Sequence, residues 1–517
     1  MPILGVIVLI AAGFALASTL AVYSYGRFAK RAKGEASFAL PLEEDATELD
    51  RSIAPRLKSH AGESGMMLVE DNLEAFALRA LSARAAGRSL DLLYYYWKKD
   101  LTGSMLAREV LAAADRGVRV RILIDDINTR PGDRSYLALD SHENIEVRLF
   151  NPSLTRASSL KRGIELALRA FRATRRMHNK AWIADGRLAI VGGRNIGDAY
   201  FDAHDTSNFR DLDLALLGEA VASTARIFDN YWNSAVVLPV RALHGVRRQK
   251  ADGLARLRGK IERTITPERA KPYLERLRAD AHIQALVAGH NRYHWTREVQ
   301  VLSDPPEKAV EGAEGDWLGP SILSAVGAAR RSVAIASPYF IPGDRGVAML
   351  GRLREHGVGV TVLTNSLAAT DVVAVHGAYA RYRRRVVETG VELYELKPEM
   401  RRQKLSIFGS SGASLHTKAF AVDEETGFVG SFNFDPRSLS LNTEMGVLFR
   451  HPALAAEILK VFTEEAEPQN SFRLALDGKR VVWKEGASVV ARREPGASLW
   501  RRLSAGTIGL LPIESQL

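Results

Sequence analysis

Apolar and polar positions along the chain form blocks that predict strands and helices in alternation. Segments 89–97, 117–126 and 144–152 are apolar runs of strand length. Segments 71–86 and 104–116 are predicted to be helical, with Asp71 as the N-cap of the first and Leu73 and Phe76 on its apolar face. This order predicts an α/β sheet covered by helices.

The same strand pattern returns about 240 residues later in the sequence. Segments 332–340, 357–366 and 390–398 repeat, in the same order, the aromatic strand 89–97, the glycine-led strand 117–126 and the strand 144–152 of the first half. We therefore expect an internal duplication over residues 65–240 and 300–465, with the two domains related by a pseudo-two-fold axis and sharing one cleft. The alternative is two separate sites on independent domains.

In each half, these strands are followed by one copy of the pattern H-x-K-x4-D-x6-G-[GS]-x-N, with every interval equal. Doubling at identical spacing favours catalysis over the ordinary interpretation of a lone histidine as a core or surface residue. The two copies consist of His178, Lys180, Asp185, Gly192, Gly193 and Asn195, and of His416, Lys418, Asp423, Gly430, Ser431 and Asn433.

Read as a strand, each copy presents its His and Lys on one face, because side chains alternate with a period of two. Asp185-Gly186 indicates a tight hairpin turn, whereas the turn at 423–427 is expected to be longer. The glycine-rich loop after each hairpin would let backbone approach a ligand, with Gly193, Ser431 and the amides of Asn195 and Asn433 as candidate phosphate contacts.

The N-terminal segment 3–23 carries no charged residue and is long enough to span a membrane. Basic residues at 27, 30, 31 and 33 follow it, which indicates an anchor over 1–34 with a cytoplasmic body. A cleaved signal peptide is the alternative, although such a peptide carries its positive charge in front. Residues 35–64 are polar and are interpreted as a linker.

Composition narrows the partners of this chain. The net charge of +11 and the isoelectric point of about 9.7 favour a partner rich in phosphate, either nucleic acid or an anionic membrane surface. The chain has no cysteine, which excludes disulfides, thiolate chemistry and Cys-ligated zinc.

Two segments outside the repeats are charged or amphipathic. Residues 241–299 are predicted to form a solvated helical linker interrupted at Pro267 and Pro272, with a lid or a headgroup contact as the alternative. The C-terminal extension 466–517 mixes apolar residues with arginines near its end, so it lies at the membrane interface or packs as an ordinary helix. His376 lies in a basic helical stretch, for which an ordinary basic helix surface is the favoured interpretation and a headgroup contact is the alternative.

Two His, two Lys and two Asn form a set suited to phosphoryl chemistry without a metal or cofactor, because a lysine beside each histidine disfavours a nearby cation. One histidine attacks phosphorus and the other donates and accepts the proton. A nucleophilic imidazole needs an acceptor for its other nitrogen, and downstream acids can supply it. The candidates are Glu444, 28 residues after His416, and Asp211 or Asp213, which follow His178. Asp185 and Asp423 belong to the repeated motif, although a structural function in the turn is equally compatible with their positions.

The doubled motif resembles the signature of the phospholipase D superfamily, and segments 175–201, 363–398, 430–446 and 500–517 resemble the bacterial cardiolipin synthase C type. The resemblance covers nearly the whole chain after the anchor. It implies an inner-membrane enzyme that transfers a phosphatidyl group from phosphatidylethanolamine to phosphatidylglycerol. It carries the catalytic assignment onto His178, Lys180, Asp185, His416, Lys418 and Asp423. The first half departs from the second at Gly193 and in its more distant acid, and a paired N-terminal span is absent.

Other functions use the same residues. Water in place of a lipid alcohol would make the chain a hydrolytic phospholipase D, and the basic charge would also suit a nuclease. The N-terminal span and the lack of an aromatic-basic groove argue against nucleic acid. A catalytically inactive membrane scaffold is disfavoured because both motifs are intact. The sequence identifies no protein partner.

Overall fold

The computed structural model describes residues 2–129, 133–156, 159–168, 174–205, 207–244, 252–287, 289, 292–310, 315, 317–398, 414–511 and 514–516. Within this part of the chain, two β-sheets carry helices on their faces, and one long apolar helix precedes them. The predicted α/β class with two similar domains is confirmed.

The first sheet has nine strands among the described residues. They are β1 (Ser64–Val69), β2 (Ser89–Tyr94), β3 (Arg119–Asp125), β4 (Ile145–Phe150), β5 (Ala181–Ala184), β6 (Leu188–Gly192), β8 (Asp213–Gly218), β9 (Val237–Pro239) and β10 (His294–Thr296). Their order across the sheet is β10-β1-β8-β6-β5-β2-β3-β4-β9. Strands β2, β3 and β4 are parallel, so their carboxyl ends meet at one edge.

The second sheet repeats this arrangement. Its strands are β11 (Val299–Ser303), β12 (Ser332–Ala336), β13 (Gly359–Asn365), β14 (Glu392–Leu396), β16 (Ala419–Val422), β17 (Thr426–Gly430), β18 (Met445–Arg450), β19 (Ser471–Asp477), β20 (Arg480–Glu485) and β21 (Ser488–Ala491). The order β11-β18-β17-β16-β12-β13-β14-β19 matches β1 to β9 of the first sheet, and β20 and β21 extend it. The duplication predicted from the strand pattern is present.

Helices cover both sheets. They are α1 (Pro2–Ala32), α2 (Glu48–Ser59), α3 (Asn72–Ala85), α4 (Leu101–Asp115), α5 (Asp133–Leu139), α6 (Ser159–Leu168), α7 (Glu219–Trp232), α8 (Gly253–Thr264), α9 (Pro267–Ala279), α10 (Ala281–Val287), α11 (Leu318–Gly327), α12 (Gly343–Glu355), α13 (Val373–Glu388), α14 (Pro436–Ser440), α15 (Pro452–Ala466) and α16 (Leu499–Gly509). Asp71 caps α3 as predicted, since its side chain accepts the backbone N–H of Glu74.

Three cores separate these layers. One core lies between the first sheet and its outer helices and contains Trp182, and another lies on the outer face of the second sheet and contains Phe420. The central core joins both sheets with α7 and α15, and Ile183 and Ala421 contribute to it. Neighbouring residues of the motif strands therefore point into different cores, as the period of two requires.

The hairpin turns of the two motifs are equally short. Asp185 and Gly186 have φ of 52° and 66°, and Asp423 and Glu424 have φ of 54° and 61°. The expectation of a longer second turn was wrong, because Glu424 adopts the left-handed conformation that usually favours glycine.

Residues 33–47 form an extended arm held against the first domain, and the interpretation of 35–64 as a linker is corrected. Arg148 donates to the carbonyl of Glu35, Arg119 donates to that of Phe38 at 2.8 Å, and the backbone of Ala39 donates to Asp229 at 2.9 Å. The arm connects α1 to the surface of the first domain.

The charged segment between the repeats forms the predicted helices, but it is more than a solvated linker. Pro267 is the first residue of α9, where a missing N–H costs nothing, and Pro272 lies within that helix. Ile261, Tyr273 and Ile283 are buried in the core of the first domain. Strand β10 completes the first sheet, so the passage between domains falls in the short connection from Thr296 to Val299.

The C-terminal extension packs on the second domain. Strands β19 to β21 enlarge the second sheet, and α16 lies against α13. A Cβ at Gly377 would lie 2.5 Å from the carbonyl oxygen of Ala505, so glycine permits this close approach. One face of α16 packs in this way, while large apolar side chains on its other face are exposed.

Candidate active site

The two motif histidines lie at the crossing point of the two domains. Each precedes its motif strand rather than lying inside it, which refines the expectation of a continuous strand. The backbone N–H of His178 donates to the carbonyl of Thr443 at 2.9 Å, and that of His416 donates to the carbonyl of Arg210 at 2.8 Å. β15 (Ser414–Leu415) pairs in parallel with β7 (Phe209–Arg210) immediately before this second contact. Each histidine is thus held by backbone from the opposite half.

The acids that orient the histidines are also exchanged between the halves. Glu444 lies 2.8 Å from Nδ1 of His178, and Asp211 lies 2.5 Å from Nδ1 of His416. The sequence predicted both acids as candidates, but it gave each one by its distance from the histidine of its own half. It did not predict that each acid contacts the histidine of the other half. Asp213 is excluded as the partner, because its carboxylate pairs with Arg79 at 2.8 Å.

Asp211 and Glu444 occupy equivalent positions despite their different spacing from the motifs. Gly192 pairs with Asp213 across β6 and β8, and Gly430 pairs with Gly446 across β17 and β18. Each acid therefore stands two residues before the partner of the motif glycine. The longer loop of the first half changes the spacing in sequence and leaves the position of the carboxylate unchanged.

Gly193 and Ser431 contact these acids. A Cβ at Gly193 would lie 2.1 Å from Oδ1 of Asp211, so the glycine leaves the space that this carboxylate occupies. In the other half, the hydroxyl of Ser431 donates to Glu444 at 2.5 Å, and the carbonyl of Ser431 lies 3.1 Å from Nδ1 of His178. The structure places both residues beside the acids that were expected to orient the histidines, rather than at an open phosphate contact.

Lys180 and Lys418 are buried beside the histidines. Nζ of Lys180 donates to the carbonyl of His178 at 2.5 Å, and Nζ of Lys418 lies 3.0 Å from Nδ1 of His416. Burial lowers the pKa of Lys180 to about 7 and also lowers the pKa of Lys418. Keeping these two ammonium groups charged in the empty site costs free energy, because both are buried. A bound phosphate anion would offset that cost, so the two lysines are suited to bind one.

Burial also lowers the pKa of both histidines, and Lys418 and Lys180 add to the decrease at His416. Burial alone would raise the pKa of Glu444, but the contacts with His178 and Lys180 outweigh it and lower that pKa. His178 is therefore held as a neutral imidazole whose Nδ1 faces an ionised carboxylate, which leaves Nε2 as a nucleophilic nitrogen.

The two asparagines differ in their contacts. Nδ2 of Asn195 donates to the hydroxyl of Tyr200 at 3.2 Å, and that hydroxyl lies 3.5 Å from Nε2 of His416. Oδ1 of Asn433 is buried with no hydrogen-bond partner among the described residues. Asn195 is thereby linked to His416 through one hydroxyl, whereas the backbone N–H of Asn433 donates to the hydroxyl of Ser438 at 3.2 Å.

Aromatic residues of the site were missed by sequence reasoning. The ring of Tyr95 lies 5.3 Å from that of His178, and the hydroxyl of Tyr96 donates to that of Tyr200 at 2.8 Å. The ring of Phe209 lies 5.0 Å from that of His416. The signal for Tyr95 and Tyr96 was their position directly after β2, where the carboxyl ends of parallel strands meet.

Asp185 and Asp423 lie at the far ends of the motif strands, away from the histidines. The carboxylate of Asp185 accepts the backbone N–H groups of Gly87, Arg88 and Ser89. That of Asp423 accepts the corresponding groups of Arg330, Arg331 and Ser332. This corrects their expected place in the catalytic set, because each one fixes the start of the neighbouring parallel strand.

His376 is buried in the second domain, so it belongs neither to a basic helix surface nor to a headgroup contact. Its ring lies 3.5 Å from Glu494, and Glu494 also pairs with Arg383 at 2.6 Å. This cluster joins α13 to the segment before α16. It is separate from the motif histidines.

Comparisons with known proteins agree with this geometry. Residues 81–232 and 322–466 match the family described as "Cardiolipin synthase, PLD-like domain". The chain is 39% identical over 475 residues to cardiolipin synthase C of Escherichia coli (strain K12), covering 90% of this chain and 99% of the relative. It is 25% identical over 426 residues to a cardiolipin synthase of Listeria monocytogenes serotype 4b (strain CLIP80459), covering 82% and 73%.

A solved structure shares the fold. The phosphatidylserine synthase of Haemophilus influenzae Rd KW20 superposes with a TM-score of 0.57 at 15% identity, over 91% of this chain and 100% of that one. The family match covers both halves, and the sequence match to the Escherichia coli relative covers most of both chains. The two motifs also form one site through contacts between the halves. The chain therefore belongs to the cardiolipin synthase family of proteins with phospholipase D-like domains.

Proposed function

We propose that this chain is a membrane-bound phosphatidyltransferase that makes cardiolipin from phosphatidylglycerol and a second phospholipid, with phosphatidylethanolamine as the donor. The observation that carries the proposal is the pair of crossed contacts, Glu444 with His178 and Asp211 with His416, beside two buried lysines. The name of the relative from Escherichia coli, cardiolipin synthase C, supports the same reaction.

In the first step, Nε2 of His178 attacks phosphorus of the donor lipid. The bond from phosphorus to the ethanolamine oxygen breaks, and His416 gives its proton to that oxygen. The negative phosphate favours the protonated form of His416, whose pKa burial lowers in the empty site. The products are free ethanolamine and a phosphatidyl group bonded to His178.

In the second step, His416 accepts the proton of a glycerol hydroxyl of phosphatidylglycerol, and the hydroxyl oxygen attacks phosphorus. The bond from phosphorus to His178 breaks, which releases cardiolipin and restores the neutral imidazole. Water in place of the glycerol hydroxyl would yield phosphatidic acid by the same proton transfers.

The remaining polar groups stabilise the five-coordinate phosphorus. Lys180 and Lys418 supply positive charge, and the amides of Asn195 and Asn433 supply donors to the phosphate oxygens. The reaction as proposed needs no metal ion and no cofactor, because the lysines take the place of a cationic Lewis acid.

The N-terminal helix supports a membrane location. The uncharged run 3–23 lies within α1, where the candidate helix covers 28 residues from Gly5 to Ala32 and its most apolar window has a mean hydropathy of 2.4. We propose a single span in the inner membrane with the catalytic body on the cytoplasmic side, because basic residues follow the span at 27, 30, 31 and 33.

Lipid products identify the reaction. Purified full-length protein in vesicles of phosphatidylglycerol, with and without phosphatidylethanolamine, is incubated and its lipids are measured by mass spectrometry. Cardiolipin formed only when both lipids are present supports the proposal. Phosphatidic acid as the main product would establish a hydrolase, and cardiolipin at an equal rate from phosphatidylglycerol alone would exclude phosphatidylethanolamine as the required donor.

The variants His178→Asn and His416→Asn should each lose turnover by about a thousandfold or more, since each histidine performs a step that the other cannot. His356→Asn, at an exposed histidine, serves as the matched control. Acyl-labelled donor lipid should leave acid-labile, base-stable label on His178. Label on His416 alone would reverse the two assignments.

A further inference from the structure

Besides α1, two helices among the described residues expose large apolar side chains on one face. On α16, the exposed fractions of Leu499, Trp500 and Leu503 are 68%, 79% and 52%, while Ala505 on the opposite face is buried against α13. The spacing of three and four residues places these apolar side chains on one side of the helix. A soluble surface rarely presents such a continuous apolar face.

α6 has the same character in the first domain. Leu160 is 75% exposed and Ile164 is 53% exposed, and their spacing of four residues places them on one face. Glu165 of this helix accepts the backbone N–H groups of Leu154 and Thr155 at 2.9 and 2.8 Å. Those residues belong to the loop that leaves the carboxyl end of β4, so α6 sits at the edge of the sheet that carries the site.

α16 sits at the equivalent edge of the second sheet. Arg501 donates to the carbonyl of Leu367 at 3.1 Å and to that of Thr370 at 2.5 Å, in the loop that leaves β13. The same loop contains Asp371, which accepts the hydroxyl of Tyr339 at 3.0 Å. The exposed face of α16 is thereby held beside the edge at which the histidines lie.

The side chain of Arg437 contacts chain segments from both sheet edges, the one beside α6 and the one beside α16. Arg437 lies in α14, shortly after Asn433. It donates to the carbonyl of Thr174, on the path from α6 to His178, and to that of Gln516, at the end of the chain beyond α16. The chain segments that follow α6 and α16 therefore meet next to the catalytic cleft.

We infer that α6 and α16 are interfacial helices that seat the mouth of the catalytic cleft in one leaflet of a phospholipid bilayer. A bilayer is favoured over a protein partner because α6 contacts α1, the apolar helix of membrane-spanning length. Trp500 and the leucines suit the boundary between headgroups and acyl chains. Lipids would then enter the cleft from the leaflet without crossing water. The inference rests on the proposed function only in taking lipid as the substrate.

The absence of cysteine makes a direct test available. Leu503→Cys and Leu160→Cys are labelled singly with an environment-sensitive fluorophore in the full-length protein, which is then incorporated into vesicles of phosphatidylethanolamine and phosphatidylglycerol. We expect a blue-shifted emission at both sites and quenching by lipids that carry a nitroxide near the headgroup.

The matched control is His356→Cys. His356 is exposed and precedes β13, so it lies at the opposite edge of the sheet, roughly 20 Å or more from the cleft. Its label should report water and escape the quencher. Labels at 503 and 160 that behave like the label at 356 would overturn the inference, whatever reaction the enzyme catalyses.

A kinetic test distinguishes a function of α16 in membrane contact from a function in folding. The double variant Trp500→Glu and Leu503→Glu should lose about tenfold or more of its activity on vesicles, with less than a twofold change on a short-chain phospholipid dispersed as monomers. An equal loss on both substrates would assign the residues to folding, and unchanged activity on vesicles would exclude a contribution to substrate access. If cardiolipin synthesis itself fails to appear, the fluorescence result still decides where the helices lie.

Discussion

The carboxylate of Glu444 lies 2.8 Å from Nδ1 of His178, although the two residues are 266 positions apart and belong to different halves of the chain. Asp211 and His416 form the reciprocal contact at 2.5 Å. Neither half can therefore assemble a working histidine alone. In the proposed mechanism, docking of the two domains is therefore a condition for catalysis.

Glu444→Gln should lower kcat by about a thousandfold, because a neutral amide no longer favours the tautomer and orientation of His178 that leave Nε2 free to attack. Single-turnover labelling of the histidine measures this step directly. Asp213→Asn is the control, because it weakens the contact with Arg79. We expect this variant to lower the thermal unfolding midpoint and to keep kcat per folded molecule within about threefold of the wild type. Near-normal labelling in Glu444→Gln would refute the orienting function.

Gly193→Ala should act through Asp211. The added Cβ would overlap the carboxylate at 2.1 Å, so the acid must move away from His416, and we expect kcat to fall by about tenfold to a hundredfold. The affinity for a phosphate-like oxyanion should change little. Gly259→Ala, where the nearest atom to the new Cβ is the end of Arg263 at 3.4 Å, controls for the substitution itself. A loss of oxyanion affinity with unchanged kcat would instead restore the predicted phosphate contact at Gly193.

The strand pattern and the doubled motif predicted the fold class, the duplication and the acids, because these features depend on local periodicity and spacing. The contact between Glu444 and His178 could not be predicted in this way, because it depends on how the two domains dock. Asp211 and Asp213 could not be separated for a similar reason. The two acids are two residues apart, and tertiary contacts distinguish them, Asp211 with His416 and Asp213 with Arg79.

Two other errors have local causes. The turn after Asp423 appeared long because the next glycine lies at 427, but Glu424 accepts the left-handed conformation itself. The polar composition of the segment after α1 indicated a linker, whereas its backbone carbonyls bind arginines of the first domain. Polar composition does not report backbone hydrogen bonds to distant side chains.

Asp185→Asn should reduce stability and leave chemistry intact. The carboxylate of Asp185 accepts the backbone N–H groups of Gly87, Arg88 and Ser89. An asparagine would direct its own NH2 group toward some of these donors and leave them without an acceptor. We expect a loss of about 1–3 kcal/mol in the free energy of unfolding. Thermal unfolding in detergent and kcat per folded molecule measure the two effects. Asp423→Asn should cost less, because its backbone donors at Arg330 and Arg331 are exposed. A hundredfold loss of kcat at unchanged stability would return Asp185 to the catalytic set.

Lys180 should couple phosphate binding to proton uptake. Burial lowers its pKa to about 7 in the empty site, so the neutral amine is the favoured form at pH 8. A bound oxyanion favours the ammonium form and raises that pKa, so binding at pH 8 takes up a proton and weakens as pH rises further. At pH 6 the amine is already protonated before binding, and this contribution becomes small.

Titration calorimetry with tungstate, in buffers of different ionisation enthalpy, measures the number of protons taken up. The wild-type protein should exceed Lys180→Met by nearly one proton at pH 8 and by far less at pH 6, because only the variant lacks the titrating amine. Lys271→Met, at an exposed lysine, should match the wild type at both pH values. Equal uptake by the wild type and Lys180→Met at pH 8 would show that Lys180 is charged before the anion arrives, and the anion would then bind to a site that is already positive.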